Sequence, residues 1–167
     1  MFDTDTLLQS VADAATGHDQ PARGFAALDH ALRRYPGHKL FTILVIDWAR
    51  EENQRIYTSA PDVYPCGGMK PLRRDSAFFR QVVSDGHSQI CRDRSECRAA
   101  FFDHELIERL GCESAINVPI RSGSVTLGSL NLLHEAGWYT PDMIPVLTRF
   151  ASLTVSLLRP NAPIEPS

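Results

Sequence analysis

Cys97 stands among Arg92, Arg94 and Arg98 in the run RDRSECR. Neighbouring cations depress a thiol's pKa and favour the thiolate, so this position is the one best suited to nucleophilic or redox chemistry. The plain reading of the same residue is a solvated loop cysteine. Cys91, Cys97, Cys112, His87 and His104 together have the ligand types of a zinc site. Cys91 and Cys97, however, enclose five residues, outside the tight spacing of two to four that structural zinc sites use, and no metal site is expected.

Binding chemistry is written more clearly. Asn117 lies within the apolar run SAINVPI, and Ser129 and Asn131 within TLGSLNLLH. An amide inside an apolar strand must satisfy its donors and acceptor or cost roughly 1–3 kcal/mol. A ligand is one partner for it, and neighbouring backbone is the other. His104, next to Asp103, can donate or accept a hydrogen bond near neutral pH, which suits a carboxylate- or amide-bearing small molecule. Phe78 and Phe79 fall at helical spacing with Val82 and Val83, and their ordinary role is core packing.

The elements that must position these residues follow from periodicity and punctuation. Leu7, Leu8, Val11 and Ala15 define a helix over 6–16 with Asp3 or Thr4 as cap; Phe25, Leu28, Ala31, Leu32 and Tyr35 define a second after Pro21, stopped by Pro36-Gly37. KLFTILVIDW over 39–48 and RIYTSA over 55–60 read as two strands of a hairpin. Residues 61–71 contain three prolines and two adjacent glycines, a loop that also carries Tyr64 and Met69. A helix over 77–84, capped by Asp75 or Ser76, precedes a short strand over 88–91. A helix over 103–110 has Asp103 as cap and Gly111 as stop; strands over 114–120 and 126–134 form a second hairpin around Ser-Gly-Ser. A last helix runs from Pro141 to 158, and the tail over 161–167 is expected to be disordered. The order α-α-β-β-α-β-α-β-β-α, with hairpins at both ends, implies an α+β fold with a largely antiparallel sheet and excludes a dinucleotide-binding parallel sheet.

Composition narrows the function classes. The chain has 167 residues, is 43% hydrophobic and 22% charged, and carries a net charge of -3 with its basic residues scattered. This is the profile of one globular domain without the basic footprint of a nucleic-acid binder. The acidic N-terminus lacks a secretory pattern, and the apolar runs are of strand length, well short of the roughly 20 residues of a membrane span. The expectation is a soluble, cytoplasmic protein with four free thiols, no nucleic-acid partner and no membrane partner.

LGCESAINVPI over 110–120, a glycine-centred turn, LGSLNL over 127–132 and a final helix opened by Tyr139-Thr140 together resemble the GAF domain family. The resemblance runs from about 21 to 160, with 1–20 as an additional helical segment for packing or dimerisation. It implies a central antiparallel sheet with terminal helices on one face and, on the other, loops and short helices that enclose a ligand. The pocket is then expected to be bounded by Tyr64, Met69, Phe79, Asp103, His104, Asn117, Ser129 and Asn131, with the 61–71 loop as its lid. The Asn-Lys-Phe-Asp-Glu signature of cyclic-nucleotide-binding members is absent, as is a recognisable bilin-attachment cysteine. No cofactor is therefore named.

The resulting reading is a sensor domain that binds an unidentified small molecule and signals through a partner or a dimer, more plausibly than an enzyme. Two alternatives stand beside it. One is a thiol-dependent enzyme resembling the free methionine-(R)-sulfoxide reductases of the same family. That subgroup has a Gly-x-Gly-Val-Cys-Gly segment where this chain has Cys66-Gly67-Gly68-Met69-Lys70-Pro71. The other is a ligand-free interaction module. A homodimer is expected from apolar residues on more than one face of the last helix, with Leu147, Phe150 and Leu157 at its interface.

Overall fold

The computed structural model describes residues 3–158. The tail expected to be disordered lies outside them. Helix α1 spans Thr4–Ala15 and α2 spans Ala22–Arg34. The Asp3 side chain caps α1 by accepting from Asp5 N at 3.1 Å. Strands β1 (Leu40–Asp47) and β2 (Glu52–Thr58) form the first hairpin, and a two-residue strand β3 (Lys70–Pro71) adds to its edge. A π-helical turn over Phe79–Ser84 leads to β4 (Gln89–Cys91). Helices α3 (Arg94–Ala100) and α4 (His104–Arg109) follow, then the hairpin of β5 (Ser114–Ser122) and β6 (Val125–His134), a 3₁₀ turn over Pro141–Met143, and α5 (Ile144–Leu158).

The six strands lie in the order β3-β2-β1-β6-β5-β4, every neighbour antiparallel. Period-two alternation gives the sheet two different faces. Phe41, Ile43, Ile116, Val118, Leu130 and Leu132 join Leu8, Val11, Phe25, Leu28 and Leu32 of α1 and α2, and Leu147 and Phe150 of α5, in the main core. The opposite face carries two smaller apolar clusters. One gathers Leu40, Tyr64, Cys97, Ile107, Cys112 and Leu133; the other gathers Ile46, Phe79 and Val83 with Trp48 and Phe78.

Three sequence expectations change here. Leu147, Phe150 and Leu157 are buried within the domain, because α5 packs against the sheet and α1 and α2, so the residues assigned to a dimer interface are consumed by the domain's own core. The segment 94–100, read as a charged loop, is helix α3, capped by the Asp93 side chain accepting from Glu96 N at 2.9 Å. The 77–84 segment is wider than an α-helix, with Asp85 N and His87 N each donating to the carbonyl five or six residues back.

Two bulges shape the sheet. Between β1 and β2 the register passes from Ile43 opposite Tyr57 to Leu44 opposite Arg55, leaving Ile56 as an extra residue. Arg55 and Tyr57 consequently sit on opposite faces although they are two residues apart. Tyr57 enters the helix layer beside Phe25 and Phe41 and donates its hydroxyl to Asp29 of α2. His38 Nε2 lies 2.9 Å from the other Asp29 oxygen, its ring buried, off the line of a well-aligned hydrogen bond. The second bulge is beside Gly128, where an added Cβ would stand 2.0 Å from the Leu44 carbonyl oxygen.

Burial pushes the Asp29 carboxyl up, but the contacts with His38 and Tyr57 outweigh it and hold the group below its ordinary value. A depressed carboxyl contributes stability that is complete above the unfolded pKa of about 3.9 and is lost as pH falls through the lower folded value. Asp29→Asn should therefore cost roughly 1–3 kcal/mol in urea unfolding at neutral pH and flatten the decline in stability below about pH 4. Gly128→Ala should cost at least the roughly 1–3 kcal/mol of an overpacked core, since the obstructing atom belongs to the backbone; chemical denaturation reads this directly.

Candidate functional site

Between the two smaller clusters the sheet is not covered by packed side chains. A cavity of about 730 Å³ lies there. Its floor is a row of polar residues at matched register: Asn117 of β5 opposite Asn131 of β6, and Asn131 opposite Thr42 of β1. Leu44, Ile107, Leu133, Phe78, Phe79, Phe101 and Phe102 supply apolar walls, while Asn53, Arg55, Lys70, Arg73, Ser76 and Asp103 line the remainder. A cavity of this size, apolar with a few fixed polar groups, is the usual form of a small-molecule site.

The floor is internally bonded. Asn117 Nδ2 donates to Asn131 Oδ1 at 2.8 Å, Ser129 Oγ donates to the same oxygen at 3.0 Å, and Asn131 Nδ2 donates to Thr42 Oγ1 at 3.3 Å. Asn117 Oδ1, buried in a residue only 2% exposed, receives no hydrogen bond from the described residues. One side wall is built around Arg55. Its guanidinium lies 3.9 Å from the Tyr64 ring centre, donates to Pro65 O at 2.7 Å and approaches Asp103 Oδ2 at 3.9 Å. Asp103 accepts from the Tyr64 hydroxyl instead of capping α4. Burial and that hydrogen bond push the Tyr64 hydroxyl's pKa well above its ordinary value, so it remains a donor.

The expected pocket residues divide. Tyr64, Phe79, Asp103, Asn117 and Asn131 line the cavity. Ser129, on the same face of β6 as Asn131, is buried outside the cavity lining and donates to Asn131. Met69 does not line it: next to the edge strand β3, it lies with Phe25 and Ile56 against a separate, smaller hollow. His104 does not line it either; it lies in the first turn of α4, its Nδ1 buried and without a hydrogen-bond partner among the described residues. Sequence reasoning missed Thr42, Arg55, Phe101 and Phe102. Thr42 was hidden inside an apolar strand, Arg55 by the bulge, and the phenylalanines by the misread 94–102 segment.

Cys97 is not an exposed thiolate. It is 1% exposed within α3, and a hydrogen bond with Cys91, together with burial, pushes its thiol far up. The arginines expected to activate it are engaged elsewhere: Arg92 with Glu96, Arg94 with Glu113 and Arg98 with Glu108. Burial pushes the Cys112 thiol up to about 11. Among the described residues no group of three or more His, Cys, Asp or Glu side chains is arranged to hold a metal, and no helix is long and apolar enough to cross a membrane.

An antiparallel sheet with packed helices on one face and a walled cavity on the other defines a single α+β pocket domain. The chain belongs to the GAF domain family, whose model matches residues 3–156. No match is found among curated proteins. Among solved structures, the chain is similar to the GAF domain of an Acinetobacter phosphoenolpyruvate-protein phosphotransferase, with a TM-score of 0.74, 9% identity and 96% of each chain covered. It is also similar to the GAF domain of a two-component sensor histidine kinase from Bacillus halodurans, with a TM-score of 0.66, 14% identity and coverage of 82% of this chain and 92% of that one. A third is free methionine-R-sulfoxide reductase from Neisseria meningitidis in complex with its substrate, with a TM-score of 0.66, 17% identity and coverage of 90% and 84%. At these identities the likeness is one of fold.

The thiol geometry gives a direct expectation. Brief treatment of the native protein with iodoacetamide should alkylate Cys66, the exposed cysteine, and spare Cys91, Cys97 and Cys112; intact-mass measurement before and after unfolding distinguishes one adduct from four.

Proposed function

We propose that this GAF domain is a sensor that binds a small molecule in the cavity on the sheet face opposite α1, α2 and α5, and conveys occupancy through those helices to a partner or a second copy of the chain. The observation that carries the reading is the cavity itself, floored by three cross-strand polar residues where packed side chains would otherwise stand. Asn117 alternates along β5 with Ile116 and Val118, which pack in the same core as Leu147 and Phe150 of α5. A ligand that draws on Asn117 therefore acts on a strand whose reverse side holds the terminal helix.

A methionine-sulfoxide-reducing role has only fold likeness in its favour, because Cys97 is buried and its neighbouring cations are paired. The test is native mass spectrometry of protein purified from cells, together with thermal denaturation against a small-molecule library. A ligand present at 100 times its Kd should add about 2.7 kcal/mol of stability. Leu44→Trp, which fills the cavity, should abolish both retention and stabilisation. If no compound is retained or stabilising and Leu44→Trp only raises stability, the ligand-binding reading fails and an interaction module replaces it.

A further inference from the structure

Resting on the ligand-binding reading, the polarity of the cavity carries an inference about what enters it. At the buried end, Asn131 has both sides of its amide occupied, by Asn117, Ser129 and Thr42. Asn117 donates one of its two amide N–H groups to Asn131, and its Oδ1 is left as an acceptor with no hydrogen bond from the described residues. Buried acceptors of this kind are rare in folded proteins, and a ligand N–H or O–H satisfies one.

The other end has the opposite character. Among the described residues, Arg55, Lys70 and Arg73 line the cavity against a single carboxylate, Asp103. Arg55 is the cation closest to Asp103, and Asp103 also accepts from Tyr64. Lys70 and Arg73 stand at the exposed edge: the Lys70 ammonium lies 4.5 Å from the Phe102 ring centre, and Arg73 is 3.9 Å from Asp75 on the surface. Phe102 itself is 76% exposed, an aromatic face at the mouth with little of the domain against it. Between the two ends the walls are aromatic and aliphatic.

We propose that the cavity takes a small aromatic carboxylic acid that carries a hydroxyl or N–H donor at the end opposite its carboxylate, the donor meeting Asn117 Oδ1 at the floor and the carboxylate facing Lys70, Arg73 and Arg55. The ring occupies the apolar middle. The order of the groups is what distinguishes this ligand from a cation or from an apolar molecule held by burial alone.

Isothermal titration with three matched probes tests the assignment: 4-hydroxyphenylacetate, phenylacetate and tyramine. Phenylacetate lacks the donor, and tyramine exchanges the anion for a cation. The expected order is 4-hydroxyphenylacetate tightest, phenylacetate weaker by about 10-fold or more as a buried acceptor is left unmet, and tyramine without detectable binding. Asn117→Leu should remove the preference for the hydroxylated acid, and the surface pair Lys70→Gln with Arg73→Gln should weaken both acids several-fold while leaving the fold intact. If Asn117→Leu does not fold, the probe order and the surface pair still decide. Equal affinity for the two acids, or tyramine bound as well as they are, overturns the proposal while leaving ligand binding in place. Failure of all three probes also overturns it, and the library screen with Leu44→Trp then shows separately whether the cavity binds anything.

Discussion

Asn131 is bonded on both sides of its amide, and the cavity face is organised around that one side chain. Its oxygen accepts from Asn117 and Ser129 and its nitrogen reaches Thr42, so three strands are tied together on the face that the helices do not cover. Polar groups buried in this way hold strand register, because a slip of one residue would exchange them for Leu130 or Leu132 and leave apolar side chains facing the wrong layer. A row of amides also resists being packed over. Apolar side chains placed directly on it would bury unmet polar atoms, so the covering segments gather into clusters at either side and the middle stays hollow.

The two faces thus perform different physical work. The helix face is a dense apolar core into which α5 sends Leu147, Phe150, Ala151, Leu157 and Leu158, and the small separation between α2 and α5 at Gly24, where an added Cβ would meet the Leu157 side chain at 2.6 Å, shows how close that packing is. The cavity face is held at its edges by ion pairs and short helices: Arg98 to Glu108 links α3 to α4, and Tyr64 to Asp103 links the loop to the start of α4.

Much of this was legible in the residues. The alternation in SAINVPI and TLGSLNLLH identified the two central strands, and the amides within them announced a polar floor, because burial of Asn117 and Asn131 demands partners. Asp103 and Tyr64 line the cavity, and the carboxylate's partner is the phenol and not the helix backbone. What sequence could not reveal was direction. Met69 and His104 have suitable chemistry and adjacent positions, but Met69 borders a separate hollow beside the edge strand β3 and His104 lies outside the cavity lining. Cys97 shows the same gap: RDRSECR reads as an activated thiol until helix α3 turns the cysteine inward and its arginines outward to glutamates. For α5, Leu147, Phe150 and Leu157 were attributed to an interface with a second copy, whereas they pack against α1, α2 and the sheet.

The extra residue at Ile56 has a consequence for how such a domain diversifies. Without it, Arg55 and Tyr57 would share a face, and any change to one would disturb the surroundings of the other. With it, Asn53 and Arg55 of β2 face the hollow while Tyr57 faces the helix-side anchor, so a change to the arginine leaves the surroundings of the tyrosine alone. A lineage can rewrite the recognition end of this strand while the tyrosine that fastens it to α2 stays as it is.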